Sequence, residues 1–197
     1  RPDGLKQRLF GQEGGPMVVS FWGSVGALYM NQKMSECIKL CAQEKPFCLV
    51  HAAGASNYKW MPEYIAKMGV DLETARNIDL REYIFDMDKV LCEADLVICR
   101  AGASTLAEVC AAGKPSIIVP SPYVADNHQE KNARVLERYG AAVVITEAEA
   151  TGKKIYDTAC QLLQDPAKLQ EMGAKARSLA KTDAVEQIYQ GICQLLA

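Results

Sequence analysis

The sequence predicts an α/β domain built on a doubly wound, parallel, six-stranded sheet, closed by a tail made only of helices. Three observations predict it. Short apolar runs alternate with longer segments of helical periodicity. Several of those runs are apolar at successive positions, as strands buried on both faces are. Beyond residue 150 the alternation stops and only helical spacing remains. Strands alternating with helices, joined by right-handed crossovers, make a Rossmann-like sheet covered on both faces.

Pro16-Met17-Val18-Val19-Ser20-Phe21-Trp22 is the first strand, ended by Gly23-Ser24-Val25-Gly26. A helix follows from Ala27 to Ala42, with Leu28, Met34, Ile38 and Cys41 at helical spacing. Phe47 to His51 is the second strand and Ala52-Ala53-Gly54-Ala55 a turn. Residues 58–68 read as helical around Pro62, and Asn77 to Arg81 as a short strand. Asp86 is placed to cap a helix that reaches Ala94. Strand 95–99, helix 104–112 and strand 115–119 come next. A polar loop through Asp126 leads into a helix over 127–138, which Gly140 stops, and Ala142 to Ile145 is the last strand. The tail helices span 151–164, 166–180 and 183–196, separated at Asp165-Pro166 and Thr182-Asp183. One domain over 1–197 is expected, with no internal repeat, low-complexity tract or linker after Gly15.

The 197 residues are enough to bury a full core, and 49% hydrophobic with 23% charged residues is the balance of a soluble globular domain. A net charge of −2 argues against a nucleic-acid surface. No uninterrupted apolar run is long enough to span a membrane. The chain opens on Arg1-Pro2-Asp3-Gly4, with neither an initiator Met nor an apolar leader, so a fragment lacking an upstream partner is expected. Eight cysteines include no C-x-x-C pair, and only two histidines accompany them. Small buried hydrophobes in a reducing cytoplasm account for them better than zinc or disulfides do.

In an open sheet of this kind, ligands sit beyond the carboxyl ends of the strands. The loops at 23–26, 51–54, 83–86, 100–105 and 120–129 converge there. The richest stretch is Arg100-Ala101-Gly102-Ala103-Ser104-Thr105-Leu106-Ala107-Glu108. Its turn lacks bulk, its helix start offers unpaired N–H groups to an anion, and Glu108 lies one turn past Ser104-Thr105. Diphosphate on the donors and ribose hydroxyls on the carboxylate is the chemistry that this arrangement suits.

Gly23-Ser24-Val25-Gly26-Ala27 reads equally as a diphosphate cradle or as a tight strand–helix turn. It lacks the dinucleotide G-x-G-x-x-G spacing, and Trp22 stands where a G-x-S-x-G serine would need its first glycine. Gly113-Lys114-Pro115 resembles the end of a phosphate loop, but Glu108 and Pro115 occupy required positions, so a helix stop and strand start are expected. Asp86-Met87-Asp88 has the D-x-D form that holds a metal in some sugar-transferring enzymes, yet at a helix start Asp is an ordinary cap, and no metal is predicted. Asp126 to Asn132 is rich in paired donors and acceptors, so His128 and Gln129 are candidates for sugar hydroxyls. His51, ending a buried strand, reads as a satisfied core histidine.

Four segments fall in one order and spacing: 21–27, 83–87, 100–108 and 126–133. On them the chain resembles the MurG-type family, bacterial transferases of UDP-N-acetylglucosamine in cell-wall synthesis, along essentially its whole length. The resemblance implies the C-terminal, donor-binding half of a two-domain GT-B fold. It implies that Ser24 contacts the diphosphate and that Ile84 meets uracil through its backbone. Ala103, Ser104 and Thr105 would line diphosphate and sugar, Glu108 the ribose hydroxyls, and His128 with Gln129 the N-acetylglucosamine hydroxyls. Arg1 matches a family arginine at the interdomain junction, and Asn31 a family asparagine on the first helix. Trp22 and His128 depart from the family's glycine and glutamine.

The implied reaction is transfer of N-acetylglucosamine, with inversion, from UDP-N-acetylglucosamine to a lipid-linked muramyl-pentapeptide, releasing UDP. It serves peptidoglycan synthesis, and so cell shape and division, by a cytoplasmic enzyme peripheral to the inner face of the plasma membrane. No cofactor or metal is expected. The acceptor, its binding loops and any membrane contact would belong to an absent N-terminal domain, so no catalytic residue is assigned here and the chain alone is expected to be inactive. The last helices, 151–197, would pack on the domain or reach toward the missing one. Two other readings stand beside this: a non-catalytic UDP-sugar-binding subunit of a split transferase, and a serine hydrolase using Ser24 with His128 and Asp126.

Overall fold

A computed structural model describes residues 4–11 and 15–196. The sheet has six parallel strands: β1 (Met17–Phe21), β2 (Cys48–Ala52), β3 (Ile78–Arg81), β4 (Leu96–Cys99), β5 (Ser116–Ile118) and β6 (Ala142–Val144). Their spatial order is β3-β2-β1-β4-β5-β6, so the order reverses between β1 and β4. The helices are α1 (Leu5–Phe10), α2 (Leu28–Glu44), α3 (Ala55–Tyr58), α4 (Met61–Lys67), α5 (Met87–Glu93), α6 (Ala103–Ala112), α7 (His128–Arg138), α8 (Gly152–Leu163), α9 (Pro166–Ser178) and α10 (Ala184–Leu196).

The strands are apolar at successive positions because each face of the sheet is covered. Val18, Leu49, Leu96 and Ile98 pack with residues of α2, α4 and α8 on one face. Met17, Val19, Val50, Val97 and Cys99 pack with α5, α6 and α7 on the other. Side chains alternate between the two faces with the two-residue period of a strand. Five of the cysteines (Cys37, Cys41, Cys48, Cys99 and Cys110) are buried and free, and burial raises the Cys99 thiol to about 12. They behave as small apolar side chains.

The structure differs from the sequence expectation in three places. The segment expected as one helix over 58–68 is two, α3 and α4, with Pro62 in the first turn of α4, where its missing N–H costs nothing. Helix α1 has no counterpart in the apolar pattern; the Glu93 carboxylate accepts from the N–H groups of Leu5 (2.6 Å) and Lys6 (2.7 Å) and so caps it from across the fold. Asp86 precedes α5 but does not cap it with its side chain, because its carboxylate pairs with Arg81 at 3.1 Å.

In the tail, Thr151 and Asp165 accept from the N–H groups of Lys154 and Lys168 and cap α8 and α9. Helix α8 lies on α2 so closely that a Cβ on Gly152 would meet Lys33 O at 2.4 Å. Helix α9 lies on α6, where Arg177 donates to the Ala111 carbonyl. Helix α10 buries none of its residues, and Val185, Ile188, Tyr189, Ile192, Leu195 and Leu196 form an exposed apolar stripe along it.

Candidate functional site

The crevice opens where the strand order reverses. The chain leaves β1 toward one face through Gly23 to Ala27, and leaves β4 toward the other through Arg100 to Gly102. Neither following helix has a side-chain cap: Ala27 and Gly102, both in extended backbone, stand at the cap positions of α2 and α6. The first hydrogen bonds of the two helices run from Asn31 N–H to Ala27 O and from Leu106 N–H to Gly102 O, each 2.9 Å. Three N–H groups ahead of each therefore point out of the helix end with no acceptor among the described residues. Their partial positive charge adds to that of the helix dipoles.

Space exists for a ligand there. A Cβ on Gly102 would meet only Thr105 Oγ1, at 3.8 Å, so the approach to the backbone is open. Ala103 and Ser104 are exposed, Thr105 is half-buried, and the Ser24, Ser104 and Thr105 hydroxyls have no hydrogen-bond partner among the described residues. Glu108 is exposed and unpaired among the described residues. It lines a groove of about 720 Å³ between α5 and α6 that runs from Met87 and Asp88 to Lys114 and Arg177, past the end of α6, and so lies beside the crevice and not in it. Across that groove Glu108 faces the first turn of α5, which begins three residues after Ile84. The Ile84 side chain is 2% exposed and belongs to the core, while its N–H and C=O bond to nothing else among the described residues.

Helix α7 approaches from the β5 side through a 3₁₀ turn, Ala125–Asn127, in which Asp126 and Asn127 both have positive φ. Gln129 Oε1 accepts from the N–H groups of Ala101 (3.3 Å) and Ser121 (3.0 Å), leaving its Nε2 as the free donor. Asn132 Nδ2 donates to the Ala101 carbonyl at 3.2 Å. Gln129 and Asn132 together hold both backbone groups of Ala101. Asn132 closes the donor-rich 126–132 stretch of the sequence, and its place one turn beyond Gln129 is the signal for its part in holding Ala101. His128 is exposed and its Nδ1 donates to the Ala125 carbonyl at 2.9 Å, so Nε2 faces outward as the acceptor.

Arg100 ties the loops together from below. Its guanidinium donates to the Val119 carbonyl at 3.0 Å, pairs with the buried Glu147 carboxylate, and lies over the Trp22 ring at 5.8 Å. Trp22, whose indole N–H is buried without a hydrogen-bond partner, thus packs beneath the cleft instead of lining it. Sequence reasoning gave neither Arg100 nor Glu147 a role, since Glu147 lies in the loop after β6.

Asn31 is not on the cleft wall: it is fully buried, its Nδ2 donating to the Ala53 carbonyl at 2.8 Å and its Oδ1 facing His51 Nε2 at 3.0 Å. His51 is buried and satisfied at both ring nitrogens, as expected from the sequence. Arg1 lies outside the described residues. The hydrolase arrangement is not assembled: His128 Nδ1 is spent on Ala125, the Asp126 carboxylate pairs with Lys131 at 2.8 Å, and the Ser24 hydroxyl meets neither. In Asp86-Met87-Asp88, Asp86 is committed to Arg81. No group of three or more His, Cys, Asp or Glu among the described residues is gathered to hold a metal ion.

Residues 17–188 match the model of the glycosyltransferase family 28 C-terminal domain. The chain belongs to that family. It is 45% identical over 175 residues, 89% of its length, to a protein of Caldanaerobacter subterraneus subsp. tengcongensis named UDP-N-acetylglucosamine--N-acetylmuramyl-(pentapeptide) pyrophosphoryl-undecaprenol N-acetylglucosamine transferase. A protein of the same name in Listeria monocytogenes is 38% identical over 183 residues. The chain spans about half the length of these relatives, 47% and 49%. Among solved structures, Acinetobacter baumannii MurG superposes with a TM-score of 0.76 at 30% identity, over 92% of this chain and 50% of that one. Staphylococcus aureus MnaA, solved with UDP, shares the fold with a TM-score of 0.70 at 15% identity, over 96% of this chain and 48% of that one. The family 28 domain therefore has here the doubly wound sheet of a GT-B half.

Proposed function

We propose that this chain is the donor-binding half of an inverting glycosyltransferase. The whole enzyme would move N-acetylglucosamine from UDP-N-acetylglucosamine to the lipid-linked muramyl-pentapeptide of peptidoglycan synthesis. One observation carries the reading: two uncapped helix starts and three partnerless hydroxyls meet at the strand-order reversal, with an unpaired carboxylate close by. The names of the relatives give the sugar and the acceptor.

In this reading the diphosphate lies across the starts of α2 and α6, taking N–H bonds from Ala103, Ser104 and Thr105 and hydroxyl bonds from Ser24, Ser104 and Thr105. Uracil meets the free backbone groups of Ile84, and Glu108 accepts from the ribose hydroxyls. His128 Nε2 and Gln129 Nε2 offer an acceptor and a donor to the sugar. Asn31 acts from below the surface, and Arg1 keeps only the role that resemblance implies. No metal is needed to hold the diphosphate. As the anomeric bond breaks, charge grows on the leaving UDP, where fixed donors count most. A helix start contributes about 0.3–1 kcal/mol per favourable charge, up to ~2 when partly buried, so several donors must act together.

The base for the acceptor hydroxyl, the acceptor itself and the membrane face are assigned to the half of the relatives' length that this chain does not span. The exposed stripe of α10, and Val25, Leu28, Tyr83, Phe85 and Tyr123 around the crevice, are apolar surface suited to contact with that half. The whole enzyme would work in the cytoplasm, peripheral to the inner membrane face. Alone, the chain should bind donor and transfer nothing. The test is a thermal-shift titration with UDP, UDP-N-acetylglucosamine and UDP-glucose, repeated on Glu108→Ala. Stabilisation by UDP that the substitution largely removes supports the reading. No response to any of the three, or an undiminished response in Glu108→Ala, overturns it.

A further inference from the structure

Beneath the cleft a chain of polar groups is sealed among apolar side chains: Ser20, Asn31 and His51 are each 0% exposed. Its polarity can be worked out from one end. The Ala53 carbonyl only accepts, so Asn31 Nδ2 donates to it at 2.8 Å and Asn31 Oδ1 is left as an acceptor. His51 Nε2, 3.0 Å from that oxygen, must therefore carry the ring proton. His51 Nδ1 is then an acceptor, and the Ser20 hydroxyl donates to it at 2.7 Å. Every group is used once and in one direction. Burial lowers the His51 pKa to about 3, so the ring stays neutral and the direction holds.

The far end of this chain bears on the cleft. A Cβ on Gly26 would lie 2.0 Å from Ala53 O, and one on Gly54 would lie 2.3 Å from Val25 O, so the turn after β2 abuts the turn after β1. The same Ala53 and Gly54 donate to Arg81 O and Glu82 O, each at 3.0 Å, at the end of β3. Ser24 stands one residue before that contact, and Ile84 two residues after Glu82.

We infer that His51 and Asn31 are positioning residues for the nucleotide site: through the Ala53 carbonyl they set the Val25–Gly26 turn that presents Ser24. This inference takes its ligand from the donor reading above. Neither side chain touches the ligand; both act by fixing where a backbone turn stands. Buried polar chains are costly unless every member is paired, and when fully paired they rigidify the elements they join.

The test compares His51→Leu with His51→Gln, reading the UDP dissociation constant by calorimetry and the exchange of the Ser24, Val25 and Gly26 amides without ligand. Glutamine can offer one donor and one acceptor, as the neutral ring does; leucine offers only packing. The expected result is a UDP dissociation constant raised about tenfold in His51→Leu, with faster exchange at the three amides, and restored to within about threefold in His51→Gln. Equal affinity in leucine and wild type, or equal loss in both variants with unchanged exchange, overturns the inference. Should His51→Leu not fold, Asn31→Asp keeps the shape and removes the Nδ2 donor, and the same changes are expected. If the wild-type chain binds no UDP, the donor reading falls, while the amide exchange still decides whether the buried chain holds the turn.

Discussion

Gly26 and Gly54 meet across two neighbouring strand ends with no room for a side chain on either. Their φ angles are +78° and +82°, and the atoms a Cβ would strike, Ala53 O and Val25 O, are backbone. Gly26→Ala therefore adds a strained conformation to a clash that no rotamer change can relieve. It should cost on the order of 3–4 kcal/mol in urea unfolding and abolish the UDP thermal shift. Gly69→Ala is the control, because Gly69 has φ +85° but nothing within 4 Å of the added atom. There only the strain remains, about 1–2 kcal/mol.

Arg100 and Glu147 form an ion pair with side chains 12% and 7% exposed. Removing one partner strands the other charge in a dry site, so Arg100→Met and Glu147→Gln should each cost about 3–5 kcal/mol. The double variant should cost clearly less than the sum of the two. Additive losses in a denaturation cycle would mean the pair is not coupled.

Gln129 carries two duties that substitution can separate. Its Oε1 holds the N–H groups of Ala101 and Ser121, and its Nε2 is the donor left over. Gln129→Ala should cost about 1–3 kcal/mol of stability through the unpaired amides. Gln129→Glu keeps the acceptor and removes the donor, so stability should change little. The preference for UDP-N-acetylglucosamine over UDP, read by calorimetry, should fall in both variants.

His51 makes stability depend on acid. Its pKa is lowered by burial from 6.5 to about 3, so between those values the unfolded chain holds a proton that the native ring refuses. Stability is therefore complete above pH 6.5 and falls as the pH drops, by up to about 1.4 kcal/mol per pH unit from this group. Urea unfolding between pH 6 and 5, above the range of the carboxylates, should show a slope shallower by nearly one proton in His51→Gln.

The sequence by itself determined the order of the six strands, their two-faced burial, the small-residue turns and the edge on which the strand-end loops gather. These follow from local periods and from backbone conformations that few residue types tolerate, so they are written in neighbouring positions. Only the tertiary structure decided where polar side chains spend their hydrogen bonds. It sent Asn31 inward to Ala53, turned Asp86 from cap to ion pair with Arg81, used Gln129 Oε1 to tie two loops, and made Glu93 the cap of α1. Except for Arg81 with Asp86 and Gln129 with Ser121, the partners in these contacts lie 22 to 88 residues apart. Such partners become neighbours only when the crossovers bring the strand ends side by side, and no spacing along the chain encodes that meeting.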